Sequence, residues 1–258
     1  GNITRDVQNG FITVKGLSAG KTYDNISLKL GDGFEKPVPS FTTEAETDVP
    51  NGSFSNNGNH IYFTDINTGG KFRSTLPPDY QHKTTIDRYE PANWATLNAF
   101  TAYAGSTNMN TWFVVPSTYL DGGTCIVRTV GYHHNGTDPA KDNFAFATYN
   151  RNAPNELNRS VGELFLGSYS FSGTESRQNG IDFTARPMTV SFDYKYSPLN
   201  GEQAQADVQV LDISNSVIAS HTEYLSASAD MVTKTIKIAN YPFGKKAAKL
   251  YVRFRSVK

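Results

Sequence analysis

Glycoside hydrolysis needs two carboxylates about 5–10 Å apart across the scissile bond. The chain carries Glu163, Glu175, Asp182 and Asp193 as candidates, and no spacing among them singles out a pair. Asp193 has Lys195 two residues on, and Asp182 has Arg186 four residues on, so both suit an ion-pair role. His133-His134, followed by Asp138 and Asp142, suggests a metal site. Adjacent residues of a strand point to opposite faces, so the two imidazoles do not readily chelate one ion, and Asn135-Gly136-Thr137-Asp138-Pro139 has turn chemistry. No Ser-His-Asp order, phosphate loop or dinucleotide fingerprint occurs. The sequence therefore assigns no catalytic residue and no metal ligand.

Aromatic side chains offer a different chemistry. Flat rings stack on pyranose faces, and neighbouring polar groups take the hydroxyls. Trp94 and Trp112, the two tryptophans, lie in Asn- and Thr-rich surroundings, and Tyr119 and Tyr149 adjoin turn-like sequence. A second candidate face follows from strand alternation. Val190, Phe192, Tyr194 and Tyr196 alternate with Thr189, Ser191, Asp193 and Lys195, while Leu250, Val252 and Phe254 alternate with Tyr251, Arg253 and Arg255. If these strands share a sheet, its outer face carries Asp193, Lys195, Tyr251, Arg253 and Arg255, either to contact sugar or as a solvated row of ion pairs. For every one of these aromatics, burial in a core is the competing role.

The elements that must position such residues are strands. The 258 residues are 38% hydrophobic, enough for a packed core, with 14 Tyr and 16 Phe against 3 Met. Short period-two runs bounded by Gly, Asn, Pro and Ser recur at 61–64, 111–115, 124–132, 163–171, 188–196, 208–213, 217–224, 233–238 and 249–255. No run sustains a helical period, although a short helix fits within 87–100. The expectation is an all-β antiparallel sandwich with very little helix. Lys and Arg number 24 against 24 Asp and Glu. That balance lacks the basic footprint of nucleic-acid binding. Cys125, alone of its kind, excludes an internal disulfide and reads as an inert thiol in a strand. No apolar run approaches a membrane span. The opening Gly1 fits a processed start, with a secretion signal or lipid anchor upstream.

Two resemblances add to this. Gly16-Leu17-Ser18-Ala19-Gly20-Lys21-Thr22-Tyr23, with Ser40-Phe41-Thr42-Thr43-Glu44, resembles the last three strands of a fibronectin type III module. That likeness implies a tyrosine corner at Tyr23, its hydroxyl tied to the upstream backbone. It places a partial module at 1–46; the polar, Gly- and Pro-containing stretch 44–59 reads as a linker, with Asn51-Gly52-Ser53-Phe54 entering a second domain at 47–258.

The second domain resembles the PCMD family of carbohydrate-metabolism domains. The carrying motifs are Trp94-Ala95-Thr96-Leu97-Asn98, Gly162-Glu163-Leu164-Phe165-Leu166-Gly167, Gly180 to Pro187, and Ser191-Phe192-Asp193-Tyr194-Lys195-Tyr196-Ser197-Pro198. The resemblance implies a jelly-roll fold like that of carbohydrate-binding modules. It also implies a secreted or lipid-anchored protein of Bacteroidetes-type bacteria, at the cell surface or in the periplasm. Jelly-roll relatives add a closing Asp-Asp-Val-type strand and build a structural calcium site partly on it; here Lys258 directly follows the last strand. The expected partner is a polysaccharide or glycan. The competing classes are a glycoside hydrolase using an unidentified Asp/Glu pair and a structural adhesin or spacer domain.

Overall fold

The computed structural model describes residues 4–8, 11–63, 86–101, 116–132, 158–172, 174–198, 201–238 and 240–258. Among them every strand pairing is antiparallel. The helical content of the described residues is the single turn Asn98–Thr101. The protein is thus all-β, as the period-two alternation requires. Its contacts divide it into Gly1–Val49 with Ala185–Pro187, and Pro50–Thr184 with Met188–Lys258.

The first unit is built of paired short strands: Thr4–Gln8 with Phe11–Lys15, Thr22–Tyr23 with Phe41–Thr42, and Ser27–Leu30 with Phe34–Pro37. Tyr23 stacks on Phe41 at 5.6 Å, and its hydroxyl accepts the Ser18 N–H at 2.8 Å. Thr43 ties the same corner, its hydroxyl donating to the Ser18 carbonyl at 2.6 Å and accepting the Lys21 N–H at 2.9 Å. Tyr23→Phe keeps the ring stack but leaves the Ser18 N–H without this acceptor. It should cost this unit about 1 kcal/mol, the net worth of one such bond, seen as an earlier denaturant midpoint for probes in residues 14–49.

The second unit centres on a six-stranded sheet. Its order is Val217–Leu225, Ala204–Leu211, Lys249–Arg255, Glu163–Phe165 and Ala95–Thr96, with Ile181–Asp182 pairing further along Lys249–Arg255. Ala206, Val208 and Val210 stand opposite Phe254, Val252 and Leu250, so these apolar side chains share one face. The antiparallel pair Thr189–Tyr196 and Ser228–Lys237 lies against that face. Phe192 meets Phe254 edge-on at 4.9 Å, and the Tyr196 hydroxyl donates to the Ser256 carbonyl at 3.0 Å. Along Thr189–Tyr196 exposure alternates residue by residue, with Val190, Phe192, Tyr194 and Tyr196 on the inner side. The central strand Ala204–Leu211 does not alternate, because both of its faces are covered.

The run 163–171, which alternation presents as one strand, is two. Leu166 N–H still donates to the Val252 carbonyl at 2.9 Å, and the line resumes at Ile181 and Asp182 beside Leu250 and Lys249. Between them the hairpin of Gly167–Phe171 and Glu175–Asn179 leaves the sheet. Its neck is closed by Gly180 N–H donating to the Leu166 carbonyl at 2.8 Å. Gly167 there has φ +145, and a Cβ on it would lie 2.1 Å from the Gln178 carbonyl oxygen, so only glycine fits the departure point. Likewise the 124–132 run splits into Thr124–Val127 and Val130–Tyr132, and the unreadable 87–100 stretch becomes Ile86–Pro91, Ala95–Thr96 and the helical turn.

Candidate functional site

Tyr251, Arg253 and Arg255 alternate with the core side chains as the sequence requires, yet they do not form an open face with Asp193 and Lys195. Thr189–Tyr196 belongs to the other pairing, and Asp193 is exposed there, accepting a hydrogen bond from the Thr233 hydroxyl. The hairpin lifted out at Gly167 brings Arg177 over Tyr251, which is 4% exposed. Arg177 donates to the Tyr251 hydroxyl at 2.9 Å, pairs with Glu163 at 2.8 Å and lies 4.0 Å above the Phe165 ring. Glu163 also pairs with Arg255 at 3.0 Å and approaches Arg253 at 3.8 Å. Arg253 donates from two nitrogens to one Asp207 oxygen, at 2.9 and 2.8 Å.

This row is a structural lock. Burial works against the Asp207 charge, but hydrogen bonds from Gln205, Thr222 and Arg253 overcome it and hold the carboxyl below the usual range. Burial likewise opposes the Arg177 charge, and Glu163 and Tyr251 outweigh it. A general acid for glycoside hydrolysis needs the opposite shift. Burial, then Glu175, pushes the neighbouring Tyr169 phenol up to about 12.

The remaining candidates separate. Trp94 is a core residue at 9% exposure. Its ring meets Phe54 at 5.6 Å and Phe254 at 6.2 Å, and its indole N–H donates to the Pro50 carbonyl at 3.1 Å. Its polar flanks, Asn93 and Thr96, belong to a turn and a short strand that wrap it, so sequence polarity did not mean solvent. Tyr119 is also buried, with the Arg88 and Arg128 guanidiniums each 5.3 Å from its ring centre. Neither ring offers a face to a sugar. Trp112 and Tyr149 lie outside the described residues, as do His133 and His134. The Cys125 thiol is pushed up to about 12 by burial and then by Glu90, which leaves it unreactive at neutral pH. Among the described residues no three His, Cys, Asp or Glu side chains converge on a cation-sized point.

Exposed aromatic surface sits instead on the hairpin of Asn57–Phe63 and Ile86–Pro91. His60 stands opposite Tyr89, and Tyr62 opposite Asp87, so these side chains share one face, with Ile61 buried on the other. His60 and Tyr89 stack with centres 4.4 Å apart and planes 9° apart. Tyr62 follows at 5.3 Å from His60. Tyr62 is 52% exposed and Tyr89 36%. Asp87 holds the His60 Nε2 at 2.7 Å, which fixes the middle ring. Glu90 anchors the hairpin to the body, accepting from Asn59, Thr96 and Asn98. The result is a row of three rings flanked by a carboxylate, in which His60 and Tyr89 cover each other's facing sides and Tyr62 is the most exposed of the three. The Tyr89 strand was not read from sequence, and the register joining it to His60 spans a long interval, so no local pattern joins the three rings.

No family model matches the chain, and no curated protein matches it. Among solved structures the chain is similar to the Stig cyclase Fisc from Fischerella sp. TAU, in complex with (3Z)-3-(1-methyl-2-pyrrolidinylidene)-3H-indole. The identity is 13% and the TM-score 0.25, with 81% of this chain and 94% of that chain covered. A likeness of that degree carries no argument about fold or activity.

Proposed function

We propose that the second unit is a jelly-roll carbohydrate-binding module of the PCMD kind, carried outside the cell or on the outer-membrane surface and serving glycan capture rather than glycan cleavage. The observation that carries the reading is the row of Tyr62, His60 and Tyr89 beside Asp87, accessible on a hairpin anchored by Glu90. Sequence resemblance supports the family and the compartment. The arginine-locked state of Glu163 and Asp207 favours binding over hydrolysis.

Affinity electrophoresis through gels containing plant and host polysaccharides tests this. The purified chain should be retarded by at least one glycan. Tyr62→Ala should lower that affinity by about 1–3 kcal/mol, roughly five- to 150-fold, as for a central aromatic contact. Because Tyr62 is half exposed, the thermal midpoint should move little. Equal retardation of the wild type and Tyr62→Ala would remove this surface from the binding role.

A further inference from the structure

Alternation along three neighbouring strands builds one polar face. In Lys249–Arg255 it carries Tyr251, Arg253 and Arg255, in Ala204–Leu211 Gln205, Asp207 and Gln209, and in Val217–Leu225 Ser220, Thr222 and Tyr224. The hairpin bearing Arg177 covers this face at Tyr251. The side towards Val217–Leu225 is open: Tyr224 is 50% exposed, and Ser220 and Thr222 are exposed. Tyr224, Gln205, Arg255 and Glu163 stand in one row across four strands.

The arginines of this face differ in what they bind. Arg177 donates to Asn179 and Tyr251 and pairs with Glu163, and Arg253 donates twice to Asp207. Arg255 makes no hydrogen bond among the described residues. Its Nε is buried and lies 3.0 Å from Glu163 Oε1, but off the line of a hydrogen bond, and its two Nη nitrogens reach solvent without an acceptor. Its charge is countered on one side while its N–H fork is unused. The other acids nearby do not supply the acceptor. Asp207 is taken by Gln205, Thr222 and Arg253, and Glu175 by the Tyr169 phenol on the hairpin. His221 and Glu223 stand opposite Val208 and Ala206, on the core side, and Glu202 lies by Tyr196 of the other pairing. Asp182 and Lys249 pair at the far end of the strand. The Lys258 ammonium lies 5.4 Å from the Tyr224 ring centre.

We infer that this row binds the carboxylate of an acidic sugar, the Arg255 fork taking the two oxygens and the Tyr224 ring lying against the pyranose. A guanidinium held at its Nε with both Nη nitrogens outward matches a planar carboxylate side-on. Tyr224 and Arg255 are two strand spacings, about 10 Å, apart, so their long side chains reach one ligand. Between them Gln205, its amide nitrogen on Asp207, leaves its amide oxygen to accept from a sugar hydroxyl. The glycan-capture reading supplies only the sugar as the carrier of the carboxylate; the row lies on other strands than Tyr62.

The test is affinity electrophoresis through polygalacturonate, alginate and hyaluronan, each beside its methyl ester, which keeps the sugar and removes the charge, with dextran sulfate as a general polyanion. The wild-type chain should be retarded by at least one acid form and bind its ester at least about tenfold more weakly, the worth of hydrogen bonds to a charged group. Arg255→Gln should lower affinity for the acid form at least about tenfold. Arg255→Lys keeps a charge beside Glu163 but not the fork, and should lower it at least about threefold. Tyr224→Ala should lower it about fivefold or more. Tyr224 is half exposed, so its variant keeps the wild-type urea midpoint and tests the row independently of any stability change at Arg255. Equal binding of acid and ester, equal binding of dextran sulfate, or wild-type affinity in the Arg255 and Tyr224 variants overturns the inference. Acid binding lost in Tyr62→Ala and kept in those variants moves the acid to the Tyr62 row, which overturns this inference and leaves the glycan reading. Retardation by neutral glycans alone does the same, and no retardation by any glycan overturns both.

Discussion

Glu163→Ala should destabilise the second unit by about 3–5 kcal/mol, because it strips the shared counter-charge from Arg177, Arg253 and Arg255 while leaving them in place. The Glu163 side chain is 8% exposed and its three partners are 23–26% exposed, so water reaches the cluster only partly. Glu163→Gln keeps the volume and one carbonyl acceptor and should lose roughly half as much. Urea unfolding reads both, with the midpoint falling and the slope unchanged. A loss under about 1 kcal/mol for Glu163→Ala would mean that the arginines are solvated and the row is no lock. The pH dependence has a fixed sign. Asp207 is held below the ordinary carboxylate range in the folded protein, so its contribution is complete above its unfolded pKa of about 3.9 and is lost as pH falls through the lowered folded value.

Phe165→Ala should also cost about 3–5 kcal/mol. Phe165 is fully buried and belongs to the cluster of Ala95, Leu211 and Tyr251 beneath the lifted hairpin. Its ring meets Tyr251 edge-on at 6.1 Å and carries the Arg177 guanidinium at 4.0 Å. Truncation opens a cavity and removes the surface on which Arg177 rests, so the hairpin of Gly167–Phe171 and Glu175–Asn179 should gain hydrogen exchange before the rest of the sheet. Phe165→Leu refills most of the space and isolates the ring. It should cost about 1–3 kcal/mol, the sum of an imperfect hydrophobic swap and a partly buried cation–π contact. Equal losses for Ala and Leu would assign the whole effect to the ring.

The sequence carried the class of fold because strand alternation is local. Lys249–Arg255 lies where its pattern put it, and Thr189–Tyr196 shows the expected inner and outer sides. What alternation could not carry was which layer covers a face. Tyr251 and Arg253 do point away from Leu250 and Val252, but Arg177 on the hairpin that leaves the sheet at Gly167 covers Tyr251, and Asp207 and Glu163 occupy Arg253; the departure point admits only a glycine, whose close carbonyl neighbour is eleven residues away. Trp94 was misread for a related reason: its Asn and Thr neighbours serve turn and strand geometry around a buried indole. Conversely, the exposed rings were missed because Tyr62 and Tyr89 come together only through a register between distant segments. Exposure is a tertiary property, and side-chain type next to polar sequence is a poor proxy for it.

The most direct test of glycan capture is a glycan array probed with the wild-type chain and with Tyr62→Ala combined with Tyr89→Ala. Both proteins are first matched for folded fraction by near-ultraviolet circular dichroism. The account predicts that the wild-type chain marks a related set of glycans and that the double variant loses that set by more than about tenfold, while remaining folded. A wild-type chain that marks no glycan, or a folded double variant with an unchanged pattern, would contradict it.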